Sequence, residues 1–348
     1  MRPGPALRVL FVGPLLKGST TLQRLDSFRG LGCKVQTVNT RKNTSFVKPS
    51  LFERIERKLL GPRDRAEANE TILAAVQQGS FDMVWIEKGL TISPATLGKV
   101  RAVQPACRII GFSLDDVMNP GNQSRHFFRG LPLYDWYITN KSYNVPELKG
   151  LGCRRVVFMD NAYDPATHRP MPVSVEERKR LGGSVGFIGQ WEPDRAGSLR
   201  ALARAGVPVR VWGYTWERMR DAPGGLTLEN RPLWGEDYAK ALCAFDINLC
   251  FLRKCNRDLQ TTRSIEIPAC GAFMLAERTH EHLRLFEERK EAEFFSDERE
   301  LLEKTRYYLE HNEDRLKIAQ GGHDRCLRSG YSYQERLQKV LALIFERK

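Results

Sequence analysis

Several signatures that would fix an enzyme class are missing from this sequence. Its eight cysteines (33, 107, 153, 243, 250, 255, 270 and 326) include no pair at CxxC spacing, so zinc ligation has no spacing signal. Several stand inside apolar runs such as "LCAFDINLCFL" and read as buried, reduced thiols of a cytoplasmic protein. GxSxG and HExxH are absent, as is any clustered His/Cys set; most hydrolase and metalloenzyme readings go with them. "GPLLKGSTT" (13–21) matches neither GxGxxG nor a Walker loop, so a bound dinucleotide or ATP has little support. No apolar run reaches the roughly 18 residues that a membrane helix needs. The opening "MRPGPALRVLFVGPLL" imitates a signal peptide, but Gly and Pro interrupt it. It reads better as a first buried strand. Low-complexity tracts are lacking too, which excludes wholesale disorder.

What is present is an ordinary globular composition with an excess of positive charge. The chain has 348 residues, 41% hydrophobic and 28% charged, with a formal net charge of +13. Its length suggests two domains. The basic residues are spread along the chain, which fits an anion-binding cleft or an acidic membrane surface better than a nucleic-acid arm. A merely soluble cationic surface is the plainer account.

Strands and helices alternate. Buried-strand runs fall at 7–13, 34–40, 81–89 and 107–116, with two more in "YDWYITN" and at 154–163. A charged helical stretch covers 50–78, and Ser-Pro opens a helix in "SPATLGKVRAV". Apolar runs with intervening helices predict a parallel sheet covered on both faces. "DPATHRPMPVSVEERKRLGG" (164–183) holds three prolines and no strand, and reads as a linker. The pattern then restarts, with strands at 184–191, 207–214, 246–252 and 272–277 and helices at 235–245, 262–271, 298–320 and 332–348. The expected architecture is α/β: two doubly wound, Rossmann-like domains, 1–165 and 166–331, facing a central cleft, with 332–348 as a closing helix. In such sheets ligands bind beyond the carboxyl ends of the strands.

One stretch sets charges beside a run that should be dry: "DLQTTRSIEIPACGAFML" (258–275). From "RSIEIPACGAFMLAERTHEHLRLFEERKEAEFFSDERELLEKTRYYLEH" onward the chain resembles the C-terminal domain of GT-B glycosyltransferases of group 1. Within them it looks most like the CgeB-type spore-maturation proteins. "FSLDD", "YDWYITNKSYNVPEL", "NAYDPATHRP" and "YSYQERLQKVL" are similar to the rest of that set. The resemblance implies transfer of a sugar from a nucleotide-sugar donor, held by the C-terminal domain, to an acceptor hydroxyl near the N-terminal domain. It implies no dedicated metal or cofactor, since helix dipoles and basic side chains stabilise the leaving diphosphate.

Carried over residue by residue, Asp258 and Glu266 take the places of two acids separated by seven residues in related retaining transferases. Glu266 would accept from the ribose hydroxyls and Asp258 would lie near the donor sugar. Backbone N–H groups around Thr261 and Thr262 would point at the diphosphate, and Arg263 would add a charged fork. In "GFIGQWEPDR" the family has Gly-Arg and then Lys; here Gly189, Gln190 and Arg195 stand there. Arg195 inherits the phosphate role, and Arg253 and Lys254 could restore the charge that Gln190 removes. Gly213 would let the ligand approach the backbone, Tyr214 or Trp212 could stack on the base, and Trp234 and Gly235 stand where the base is held. Gly13, Gly18 and Ser19 resemble a mobile loop over the reaction centre.

In the first half, Asp115 and Asp116 end a strand, where one could act as general base on the acceptor or both could cap a helix. Glu87 and Lys88 end the preceding strand. His126 and His168 have no partner at informative spacing and read as surface residues. The alternatives to a glycosyltransferase are a nucleotide-sugar epimerase or hydrolase, or a non-catalytic nucleotide-sugar-binding protein; Asp258 in place of the family's usual Glu, and Gln190, favour the last. The acceptor class stays open between glycan, lipid-linked molecule and protein. The charge also admits a peripheral place on the inner membrane face, and nucleic acid is not expected as a partner.

Overall fold

The computed structural model describes residues 6–42 and 61–345. The chain divides into two compact units, one formed by residues 1–160 and 333–348, the other by 161–332.

The first unit is built on six parallel strands in the order β2-β1-β3-β4-β5-β6. They are β1 (Arg8–Gly13), β2 (Lys34–Asn39), β3 (Met83–Glu87), β4 (Arg108–Ser113), β5 (Trp136–Thr139) and β6 (Val156–Phe158). Successive side chains of a strand point to opposite faces, and β1 divides that way. Val9 and Phe11 pack in one core with Phe28 and Leu337, while Leu10 and Val12 pack in another with Ile72 and Leu97. The first face is covered by α1 (Thr20–Gly30), the second by α2 (Ala68–Gln78) and α3 (Pro94–Val103). Within the charged stretch expected to be helical over 50–78, the described helix is α2; residues 43–60 lie outside the described residues. Two short helices, α4 (Arg125–Gly130) and α5 (Asn144–Gly150), complete the connections.

The second unit has strands β7 (Gly183–Ile188), β8 (Val209–Trp212), β9 (Leu226–Leu228), β10 (Phe245–Cys250), β11 (Met274–Glu277) and β12 (Glu293–Phe295). Their order is β12-β11-β10-β7-β8-β9, all parallel. The chain moves outward from β7 to β9 and then returns to the other side of β7 with β10. The strand order therefore reverses between β7 and β10, the position at which doubly wound sheets leave a crevice for ligands. In the first unit the same reversal lies between β1 and β3.

The helices of this unit are α6 (Val175–Leu181), α7 (Pro193–Arg204), α8 (Gly235–Ala244), α9 (Arg263–Ala269), α10 (His280–Leu285), α11 (Glu298–Glu310) and α12 (Asn312–Arg328). The proline-rich linker thus contains a helix. Ser174 and Glu177 form a reciprocal capping box at its start, and a Ser-x-x-Glu signal sufficed to nucleate it despite the prolines. The long helix expected over 298–320 is two helices that meet at His311. The last helix, α13 (Tyr333–Phe345), buries Leu337, Val340, Leu341 and Ile344 in the core of the first unit. Their i, i+3, i+4, i+7 spacing makes one apolar stripe. Among the described residues no helix is long and apolar enough to cross a membrane.

A candidate anion site at the strand-order reversal of the second unit

Gly189 and Gln190 follow β7, Arg195 lies in the first turn of α7, and Phe251 to Arg253 follow β10. A loop then leads through Asp258 to Thr262 and into α9, which opens on Arg263. These segments therefore meet at the carboxyl ends of β7 and β10, where the strand order reverses.

Two arginines dominate the place. Arg195 is 2% exposed. Its Nη1 donates to the Gln190 carbonyl at 3.1 Å and its Nη2 to the Phe251 carbonyl at 3.4 Å. The Arg195 and Arg263 guanidinium carbons lie 5.5 and 5.8 Å from the centroid of the Phe187 ring. The Nε of each is buried with no hydrogen-bond acceptor among the described residues. Burial, reinforced by the charge of Arg263, lowers the Arg195 pKa from its usual 12.5 to about 10. Two cations held this way form a place where an anion is favoured before it arrives.

The carboxylates nearby are mostly committed. Glu192 accepts from Arg253 Nε at 2.8 Å and stands 3.8 Å from Arg195. Lys254 is ion-paired with Glu277. Arg253 and Lys254 therefore do not replace the charge missing at Gln190; each is balanced by a carboxylate of the same unit. Asp258 is buried, with Oδ2 accepting from the Arg253 amide at 3.3 Å. The residue before it, Arg257, adopts the left-handed conformation with φ 47°.

The start of α9 differs from expectation in one respect. The Thr261 amide donates to Ser264 Oγ at 3.0 Å and so is not offered to a ligand. Ser264 Oγ also pairs with His282 Nε2 at 2.7 Å, and His282 Nδ1 pairs with the Glu277 carbonyl at 2.6 Å. A carbonyl only accepts, so the His282 proton sits on Nδ1 and Ser264 donates to Nε2. The amides of Ser264, Ile265 and Glu266 bond back to Thr261 and Thr262. The amides of Thr262 and Arg263 have no such acceptor among the described residues.

Glu266, on the next turn of α9, is 5% exposed. Tyr238 Oη donates to its Oε2 at 2.6 Å, and His168 Nε2 stands 3.7 Å from its Oε1. His168 is thus buried rather than on the surface. Its Nδ1 accepts from the Asp164 amide at 3.0 Å, a local contact that the sequence does not announce. His126 is exposed.

The remaining expectations for this unit divide. Gly213 (φ 148°) is required by the protein itself, since a Cβ there would come within 2.0 Å of the Gly189 carbonyl. No ligand need explain it. Trp212 is fully buried and donates to the Leu181 carbonyl, so it cannot stack on a base. Tyr214 is half-buried, and Trp234, at the N-terminus of α8, is 52% exposed.

In the first unit, Lys88 is ion-paired with Asp115 across the ends of β3 and β4 and adopts a left-handed backbone. Asp116 is buried; it accepts from Asn144 Nδ2 at 2.9 Å and from the Met118 amide at 2.9 Å. It organises its own loop and is a poor base for an incoming hydroxyl. Glu87 is locked in a buried bidentate pair with Arg24, at 2.8 and 2.6 Å. Trp85 Nε1 donates to the same carboxylate. Gly13 packs its backbone against Glu87, and Ser19 caps α1 directly after Gly18. All of these lie around the reversal between β1 and β3. Among the described residues no group of three or more His, Cys, Asp or Glu side chains could hold a metal ion.

Comparison with known proteins places this geometry in context. A family model described as "Glycosyl transferase-like" matches residues 195–342. No curated protein matches the chain. Among solved structures, the chain is similar to HepE from Anabaena in complex with UDP-glucose, at 12% identity, covering 98% of this chain and 100% of that one with a TM-score of 0.66. It is similar to an α-glucosyltransferase bound to UDP and a DNA 13-mer, at 11% identity, 97% and 99% coverage and a TM-score of 0.67. A putative UDP-N-acetylglucosamine 2-epimerase from Listeria monocytogenes is similar at 11% identity, 99% and 98% coverage and a TM-score of 0.58. The two doubly wound parallel sheets are those of the GT-B fold.

Proposed function

We propose that the chain is a nucleotide-sugar-dependent glycosyltransferase that moves a sugar onto an acceptor hydroxyl. The observation that carries this reading is the Arg195–Arg263 pair. Two guanidinium groups sit on one aromatic ring, each with an unused buried Nε, where the sheet order reverses. A diphosphate fits that demand. It carries charge for both arginines and acceptor oxygens for the open N–H groups. In the transfer step the bond between the anomeric carbon and the diphosphate breaks, and charge builds on the leaving oxygen. Preorganised donors of this kind lower such a barrier by roughly 2.7–4 kcal/mol each. No metal enters this account.

Glu266 accepts from the ribose, Asp258 lies toward the sugar, and the Thr262 and Arg263 amides add donors to the phosphates. The first unit supplies acceptor contacts. Asp115, ion-paired with Lys88, and Asp116, bonded to Asn144 and the Met118 amide, are both engaged within that unit, and neither is preferred as the base. UDP is the first nucleotide to try, as HepE and the α-glucosyltransferase were each solved with UDP or its sugar. The CgeB-type set is the narrower affiliation proposed, on the motifs of both halves.

A thermal-shift screen against UDP-, GDP-, TDP- and CMP-sugars tests the donor. A ligand at a hundred times its dissociation constant should add about 2.7 kcal/mol of stability. No shift with any of them would remove the reading. The similarity to a putative 2-epimerase supports a second reading, donor isomerisation or hydrolysis. Product analysis with donor alone separates the two: a transferase leaves the donor intact until an acceptor is added.

A further inference from the structure

Glu266 is bonded on one side and faced on the other by groups that the donor does not supply. Tyr238, on α8, takes Oε2 at 2.6 Å. Burial and the Glu266 charge push its phenol pKa well above the usual value, so it remains a donor at neutral pH. On the other side stands His168, 2% exposed. A backbone N–H can only donate, so the Asp164 amide at 3.0 Å from Nδ1 makes that nitrogen the acceptor. The imidazole proton then lies on Nε2, which faces Glu266 Oε1 at 3.7 Å. The loop that carries His168 is itself fixed: Thr167 Oγ1 and the Ala166 amide both donate to the Asp164 carboxylate. The imidazole packs edge-on against the Tyr238 ring, with centroids 5.7 Å apart at 82°.

The result is an asymmetric carboxylate. One oxygen is bonded within the protein; the other receives no hydrogen bond from the described residues. We propose that Tyr238 and His168 are positioning residues that orient Glu266 so that Oε1 alone grips a ribose hydroxyl, which makes the site discriminate ribonucleoside from deoxyribonucleoside diphosphates. This rests on the donor reading above. An untethered carboxylate would have to be ordered by the ligand, at a cost in side-chain entropy. A donor without the gripped hydroxyl leaves a buried carboxylate oxygen unmatched, and sites built to bond a hydroxyl reject analogues that lack it.

The test is calorimetric titration of the full chain with UDP, 2′-deoxy-UDP and 3′-deoxy-UDP. The wild type should bind at least one deoxy analogue about 10–100-fold more weakly than UDP. In Tyr238→Phe that ratio should fall at least fivefold, because UDP loses affinity while the deoxy analogue loses little. His168→Asn should lower it in the same direction, and carries the test if Tyr238→Phe does not fold. General loosening of the site would weaken all three nucleotides together and leave the ratio unmoved. An unchanged ratio in a folded positioning variant overturns the inference. If Glu266→Ala nevertheless abolishes the ratio, the donor reading survives that result. A wild-type ratio near one, with Glu266→Ala binding UDP normally, overturns the inference and the ribose assignment together. Failure of UDP and the other nucleoside diphosphates to bind overturns the donor reading and the inference with it.

Discussion

Replacing Arg195 by Met should separate the stability of the protein from its ability to bind an anion. Arg195 is charged at pH 7 in both folded and unfolded chains. Its pKa in the fold is lowered from 12.5 to about 10, so at neutral pH the fold carries the charge at a penalty, relieved only near and above pH 10. At 1.36 kcal/mol per unit the penalty is about 3 kcal/mol. Methionine keeps much of the stem and its contact with Phe187 while removing the charge. Against that gain stand two lost hydrogen bonds, to the Gln190 and Phe251 carbonyls, worth about 1 kcal/mol each. The folded protein without ligand should therefore change stability by no more than about 1 kcal/mol. UDP binding should weaken by roughly 10–150-fold, the worth of one charge-assisted bond of 1.5–3 kcal/mol. Thermal unfolding with and without UDP reads both quantities. A loss of 3–5 kcal/mol without ligand, as for an ordinary paired buried charge, together with unchanged UDP affinity, would refute the reasoning.

Three further outcomes follow from the same geometry. Glu87→Gln leaves Arg24 buried beside a neutral partner and should destabilise the first unit by about 3–5 kcal/mol in denaturant titration; the double replacement Arg24→Met with Glu87→Leu should recover most of that loss. Burial lowers the His282 pKa from 6.5 to about 4, so between those values the unfolded chain binds the extra proton. Its contribution of about 3 kcal/mol is complete above pH 6.5 and disappears as pH falls toward 4; stability measured against pH should lose that component in His282→Gln. Gly213→Ala sets a Cβ against the Gly189 carbonyl at a positive φ and should cost about 1–3 kcal/mol or more, seen as a lowered melting temperature.

The sheets were legible because buried parallel strands write themselves as apolar runs. "LRVLFVG" and "DINLCFL" each coincide with a strand to within a residue or two. Short edge elements were legible only in part. β6 was read within 154–163, whereas β9 and β12, with three residues each, are too short for a period to show. The helix in the linker was not read, although Ser174 and Glu177 stand at capping-box spacing. At the site, Arg195 and Arg263 were legible through the resemblance, one at the family's basic position after β7 and the other three residues before Glu266. Tyr238 and His168 were not. Tyr238 reaches Glu266 from a helix 28 residues away, and His168 is tied down by a backbone amide that no side-chain pattern encodes. Thr261 misled in the same way, because its amide is taken by a serine three residues later.

The central claim is that the second unit receives a diphosphate at the carboxyl ends of β7 and β10. A crystal structure of the chain grown with UDP tests it most directly. The account predicts both phosphates within hydrogen-bond reach of Arg195, Arg263 and the Thr262 and Arg263 amides, with a ribose hydroxyl on Glu266 Oε1. UDP bound elsewhere, with these two arginines unengaged, would contradict it.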